Sequence, residues 1–229
     1  MSARDAILGN VRKAVEAKPN DAARQALANK RIAQRERHPI PDRVSGKTTD
    51  ALHGLFCEHL ETASATVATA ANADDIPEII SNYLRQHNLP QQIRHGADEA
   101  LATINWGQAP TLEVMTGAAD RNDAVGLSRA TAAVAETGTL VLASGPDNPV
   151  TLNFLPETHI VVVDQNAIVG PYEEAFDRVR TRFGDGKMPR TVNMVSGPSR
   201  TGDIGGRIVM GAHGPRRMMV VIVESGLDP

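Results

Sequence analysis

The sequence predicts an α/β fold: a mixed, largely parallel sheet flanked by helices, behind an N-terminal helical arm. Three observations carry this reading. Short apolar runs of strand length alternate with amphipathic helical stretches, the pattern of a sheet built from strand–helix–strand units. Two runs, Ala132–Ala135 and Leu140–Ser144, stand so close around Glu136-Thr137-Gly138-Thr139 that they fit a hairpin, which makes the sheet mixed. The first fifty residues also differ from the rest in charge: they hold eleven Lys and Arg against six Asp and Glu, where the remainder holds thirteen against twenty-one.

The arm comes first. Ala6, Ile7, Leu8, Val11, Ala14 and Val15 recur at helical spacing, and Pro19 ends that helix. Asp21 to Arg37 reads as a second helix with a mostly alanine apolar side, where Leu27 and Ile32 are the larger members. Alanines bury little area, so this face is expected to lean on a neighbour or on another subunit of a homo-oligomer. Its basic charge suits an acidic partner surface. Pro39 and Pro41 close the helix, and His38–Lys47 reads as a linker. The expected division is an arm and linker over 1–47 and a main domain over 48–229.

In the main domain Leu52, Leu55, Phe56, His59 and Leu60 form one helical stripe, and Ser64–Ala70 fits a strand. Asp75 and Pro77 mark the next helix start, with Ile76, Ile79, Ile80, Tyr83 and Leu84 facing inward. Ile93, Leu112–Met115, Leu140–Ala143, Ile160–Val163, Val192–Val195 and Met219–Val223 supply strands. Pro171 to Phe183 is the clearest late helix, with Tyr172, Phe176, Val179 and Phe183 on one face.

Composition excludes several function classes. A chain of 229 residues with 41% hydrophobic residues buries a core and is not disordered. Aromatics at 3% leave few stacking platforms, and the basic stretch Arg24–Arg43 has none interleaved, which argues against nucleic acid as a partner. One cysteine, Cys57, permits no internal disulfide and no cysteine-held iron–sulfur cluster or structural zinc. His53 and Cys57 lie four apart on a helix, but no further ligand joins them. No cofactor and no metal are therefore expected. The start lacks an apolar signal region and no apolar run reaches membrane-spanning length, so a cytoplasmic protein is expected, with no membrane partner.

Polar chemistry concentrates between Val195 and Val223. Glycine and proline make tight turns there and let backbone approach a ligand closely. Ser196, Ser199 and Thr201 offer hydroxyls, Arg200 and Arg216 offer charge, and His213 titrates near neutrality. If Ser199 caps a helical turn, the amides behind it form an anion site, and Asp203 could hold Arg200. The turn also falls at a strand end, the edge that ligands favour in open α/β sheets. Asp203 and Ile204 stand where a phosphate loop needs Lys and Ser or Thr, and no Gly-x-Gly-x-x-Gly follows a strand; both nucleotide-loop readings are rejected. Glu136, beside a glycine turn, could act as base, nucleophile or cation anchor, with Thr139 near it. His159, at a strand edge, reads as structural. The expected ligand-binding set is thus Thr139, Ser196, Ser199, Arg200, Thr201, His213 and Arg216, with Glu136 as the catalytic candidate.

Four motifs carry a resemblance. They are Ala-Glu-Thr-Gly-Thr-Leu-Val-Leu at 135–142, Asn-Phe-Leu-Pro-Glu-Thr-His at 153–159, Ser-Gly-Pro-Ser-Arg-Thr-Gly-Asp-Ile at 196–204 and Gly-Ala-His-Gly-Pro-Arg at 211–216. Their order and spacing resemble the signature of the lactate-utilisation (LUD) domain, from about Ala124 to Val223. Gly205 departs from it, since an acidic residue is usual there. The resemblance implies a NagB/RpiA/CoA transferase-like sheet, similar to that of ribose-phosphate isomerase and formyltetrahydrofolate cyclo-ligase. It also implies a role in oxidising L-lactate to pyruvate beside iron–sulfur partner proteins. A chain with one cysteine would then be a non-redox accessory subunit that binds a small anion or a partner at the 196–216 loops. The alternative is a stand-alone acyl- or phosphate-ester enzyme using Glu136, as the CoA transferases use a glutamate nucleophile. Whether the chain is itself an enzyme stays open.

Overall fold

The computed structural model of the chain divides into two units, Met1–Pro39 and Ile40–Pro229. It describes residues 2–16, 21–37, 39–184, 186–204 and 207–227. The first unit holds two helices, α1 (Ala3–Glu16) and α2 (Asp21–Gln34). Ser2 and Asp5 cap α1 reciprocally: Ser2 Oγ accepts from the Asp5 amide at 3.2 Å, and Asp5 accepts from the Ser2 amide at 3.1 Å. Ile7, Leu8, Val11 and Val15, which set the helical spacing, are exposed.

In the second unit the helices are α3 (Thr49–Thr62), α4 (Ile76–Gln86), α5 (Glu99–Thr103), α6 (Val150–Phe154) and α7 (Tyr172–Phe183). The strands run β1 (Thr66–Ala70), β2 (Gln92–His95), β3 (Glu113–Thr116), β4 (Val125–Arg129), β5 (Ala132–Val134), β6 (Thr139–Ala143), β7 (Thr158–Asp164), β8 (Ile168–Val169), β9 (Val192–Val195), β10 (Arg200–Ile204), β11 (Arg207–Met210) and β12 (Arg217–Val223). Six of them form one sheet in the order β1-β12-β7-β4-β2-β3, and every pairing in it is parallel.

The two central strands explain the core. β7 carries the apolar run Ile160–Val163 and β12 the run Met218–Val223, unbroken because both faces are covered. Successive side chains point to opposite faces. Ile160, Val162, Met219 and Val221 enter one core with Ile76, Ile80 and Leu84 of α4. Val161, Val163, Val220 and Ile222 enter another with Phe56 and Leu60 of α3. That second core also receives Ala133, Leu140 and Leu142 from a four-stranded sheet ordered β8-β5-β6-β9. The outer face of that sheet, through Val134 and Val141, packs on Ala175 and Val179 of α7.

The hairpin expected around Glu136–Thr139 is present as β5 and β6, antiparallel. Gly138 closes it at φ +64°, a left-handed conformation that glycine adopts without strain. A Cβ there would stand 2.6 Å from His59 Cβ, so glycine also lets the turn rest on α3. The antiparallel pairings fall in this second sheet and in the β10–β11 hairpin rather than in the main sheet. β4 escaped the sequence reading because Gly126 and Ser128 interrupt its apolar run. Within the stretch expected as a linker, Val44 is 4% exposed and packs beside Gly170.

Candidate functional site

β4, β7 and β12 begin side by side, with Val125 and Arg217 both in register with Thr158. The 196–216 stretch leaves the carboxyl end of β9 and enters the amino end of β12. It therefore adjoins the amino edge of the main sheet, not the carboxyl edge that ligands favour in open α/β sheets. The expectation failed because the stretch precedes its parallel strand instead of following one.

A cavity of about 220 Å³ opens here. Asn153 and Phe154 of α6, Ser196 after β9, Ser199, His213 and Met218 are among the residues that line it. Ser199 organises the loop. Its amide donates to the Pro215 carbonyl at 2.8 Å, and its carbonyl accepts from the Gly211 amide at 2.8 Å. Its Oγ accepts from the His213 amide at 3.4 Å. Ser199 thus leads into strand β10, and the helical cap considered for it does not form.

The expected ligand set is divided. Ser196, Ser199 and His213 share the cavity. Arg216 lines an adjoining one of about 240 Å³ with Phe154, Glu157 and Gly211. Arg200 donates instead to Ser64 Oγ, and Thr201 lies in β10 opposite Val209. The two arginines do not meet around one anion. The Asp203 side chain and Gly205 lie outside the described residues.

Behind Ser196 sits a cluster of hydroxyls. Ser196 Oγ is 2.7 Å from Thr139 Oγ1. Thr139 Oγ1 is in turn 2.9 Å from the Tyr172 hydroxyl and 2.7 Å from Thr137 Oγ1, and Thr137 closes the triangle to Tyr172 at 2.8 Å. Thr139 is 1% exposed, so the cluster fixes Ser196 from a dry side. Glu136 adjoins it in sequence and accepts from Arg43 Nη2 at 2.6 Å. Arg43 lies in the stretch that reads as a linker, and Tyr172 on a helix face that reads as apolar. Nothing local in the sequence marks either as a partner of the Glu-Thr-Gly-Thr turn.

Below the cavity lies a second polar group. A Cβ on Gly126 would stand 2.4 Å from the Leu152 carbonyl oxygen, so glycine lets α6 lie directly on β4. That contact brings Asn153 to Ser128 and His159. The Ser128 hydroxyl donates to Asn153 Oδ1 at 2.9 Å and lies 3.0 Å from His159 Nε2. Burial holds the His159 imidazole down to about 3, so it is neutral near neutral pH. Asn153 is 1% exposed, and its Nδ2 has no partner among the described residues. A buried amide donor left so costs about 1–3 kcal/mol.

The cavity can therefore hold a small molecule with acceptor oxygens and a short apolar part. Asn153, Ser196, Ser199 and His213 supply polar lining, while Phe154 and Met218 supply apolar wall. Among the described residues no three His, Cys, Asp or Glu side chains gather as a metal ion requires.

Comparison with known proteins covers most of the chain. The chain is 31% identical over 135 residues to Lactate utilization protein C of Exiguobacterium sp., spanning 58% of this chain and 58% of that protein. It is 25% identical over 195 residues to Lactate utilization protein C of Macrococcus caseolyticus, spanning 81% of this chain and 84% of that one. Among solved structures, a DUF162 family protein from Deinococcus radiodurans shares the fold at TM-score 0.60 and 22% identity, covering 77% of this chain and 99% of that one. The LUD domain model matches residues 54–223, and the chain belongs to the LUD domain family.

Proposed function

We propose that this chain serves lactate utilisation as a non-redox accessory protein that binds a short 2-hydroxy- or 2-oxo-carboxylate in the cavity between α6, the end of β9 and the loop into β12. The observation that carries the reading is the cavity itself, where Ser196, Ser199 and His213 meet Asn153 beside the apolar Phe154 and Met218. A carboxylate suits the hydroxyls of Ser196 and Ser199, and the methyl group of lactate or pyruvate suits Phe154 and Met218. The names of the relatives support the lactate context. Electrons would be carried by iron–sulfur partner proteins, since one cysteine does not supply the several thiolates a cluster needs.

The rival reading, an ester enzyme with Glu136 as nucleophile, has less support. Glu136 Oε1 already accepts from Arg43 at 2.6 Å, and Glu136 is absent from the cavity lining. The test has two arms. Calorimetric titration of the purified chain with L-lactate and pyruvate should give saturable binding. A deletion strain should regain growth on L-lactate with the wild-type gene, and much less with Asn153→Ala. Turnover of acyl or phosphate esters by the isolated chain, lost in Glu136→Gln, would overturn the accessory reading.

A further inference from the structure

The opposite edge of the parallel sheet carries a larger cavity. β4 ends there at Arg129 and β7 at Asp164, and the chain beyond β12 passes through Ser225 and Gly226. Between these ends and the second half of α7 lies a crevice of about 660 Å³. That volume falls within the roughly 300–1,000 Å³ of small-molecule sites, and the carboxyl edge is where open α/β sheets hold ligands.

Its lining concentrates guanidinium groups in an otherwise acidic body. Residues 51–229 hold thirteen Lys and Arg against twenty-one Asp and Glu. Arg129, Arg178 and Arg182 line this crevice together with Asp164, and Asp98 and Asp147 pair with Arg129 and Arg182. Asp164 Oδ1 accepts from the Leu227 amide at 2.5 Å, which ties the carboxylate to the backbone.

Each guanidinium is held before any ligand arrives. Arg129 Nε donates to both oxygens of Asp98, at 3.1 and 3.0 Å, and Asp98 is buried. Arg182 donates to Thr131 Oγ1 at 2.8 Å and to the Asp147 carboxylate. Arg178 donates to the Asn166 carbonyl. A guanidinium has five N–H groups, so one anchored by one or two bonds has others to offer. Fixing these long side chains in advance lowers the entropy lost on binding.

We propose that this crevice binds a phosphoryl-bearing small molecule, with Arg178 and Arg182 gripping the phosphoryl oxygens and Arg129 adding charge at the end of β4. A phosphoryl group presents several oxygens and more than one negative charge, which suits three forked cations better than a monocarboxylate does. No aromatic side chain lines the crevice among the described residues, so recognition rests on charge and hydroxyl contacts rather than ring stacking. The site is separate from the cavity at the amino edge and stands or falls independently of it.

The test uses the full chain and inorganic pyrophosphate as probe, by calorimetry at low salt. Wild type should bind saturably. Arg178→Gln, whose anchor is only a backbone carbonyl, should keep its melting temperature and bind at least about tenfold more weakly. Arg200→Gln, on the hairpin and outside the crevice, should bind as wild type does. Should Arg178→Gln fail to fold, Arg182→Lys keeps the charge while losing the fork and should also weaken binding. Absence of wild-type binding would overturn the proposal. So would equal weakening by Arg200→Gln, which would mean general surface attraction. Unchanged binding in folded variants of Arg178 or Arg182 would assign the arginines to bracing the carboxyl end of α7 instead. Pyruvate binding at the other edge should be unaffected by Arg178→Gln, which separates this proposal from the carboxylate site.

Discussion

His159 Nε2 lies 3.0 Å from Ser128 Oγ, in a pair whose members are 0% and 1% exposed. The imidazole is held neutral by burial, down to about 3 from an ordinary 6.5. In the unfolded chain it takes a proton near pH 6.5, while the folded chain resists until about pH 3. Between those values the unfolded state binds more protons, so stability falls as pH falls. The slope from this group is at most about 1.4 kcal/mol per pH unit. Urea unfolding at pH 7, 5.5 and 4.5 should show the loss, and His159→Gln should flatten it. An unchanged slope in that variant would remove His159 as the cause.

Gly126→Ala should destabilise the protein by about 1–3 kcal/mol, because its methyl would meet the Leu152 carbonyl at 2.4 Å and push α6 off β4. Gly202→Ala, where a Cβ meets nothing within 4 Å, is the control. Thermal unfolding of both variants decides the matter: equal melting temperatures would mean that α6 shifts freely.

Deleting residues 1–39 should leave a chain that unfolds cooperatively, since the second unit has its own core. Deleting residues 1–47 should cost more, because it also removes the buried Val44 and the Arg43 partner of Glu136. Calorimetric scans of the two truncations measure the difference, and identical melting temperatures would deny residues 40–47 a packing role.

Arg200→Ala should change stability by no more than about 0.5 kcal/mol, as expected for an exposed arginine whose described partner is Ser64. Denaturant titration checks this. A loss of several kcal/mol would make Arg200 a brace of the hairpin.

Much of the fold was legible because burial writes itself into composition. The runs Ile160–Val163 and Met219–Val223 are apolar throughout, as strands covered on both faces must be. The Glu136–Thr139 hairpin was legible from two apolar runs split by a glycine. β4 was not, because the glycine that admits α6 and the serine that bonds Asn153 replace apolar residues in its run. Within the candidate site, Ser196, Ser199 and His213 were marked by glycine turns and polar type. Asn153 was not, since its place in the cavity lining is set only when α6 meets β4. Arg43 and Tyr172 reach Glu136 and Thr139 from 93 and 33 residues away, and no local pattern encodes such distances.

The central claim is that the cavity at the amino edge binds a short carboxylate. Calorimetric titration with pyruvate of wild type, Asn153→Ala, Ser196→Ala and Arg200→Ala tests it most directly. Wild type and Arg200→Ala should bind saturably, and folded Asn153→Ala and Ser196→Ala should bind at least about tenfold more weakly. Absence of wild-type binding, or binding lost in Arg200→Ala but kept in Asn153→Ala and Ser196→Ala, would contradict it.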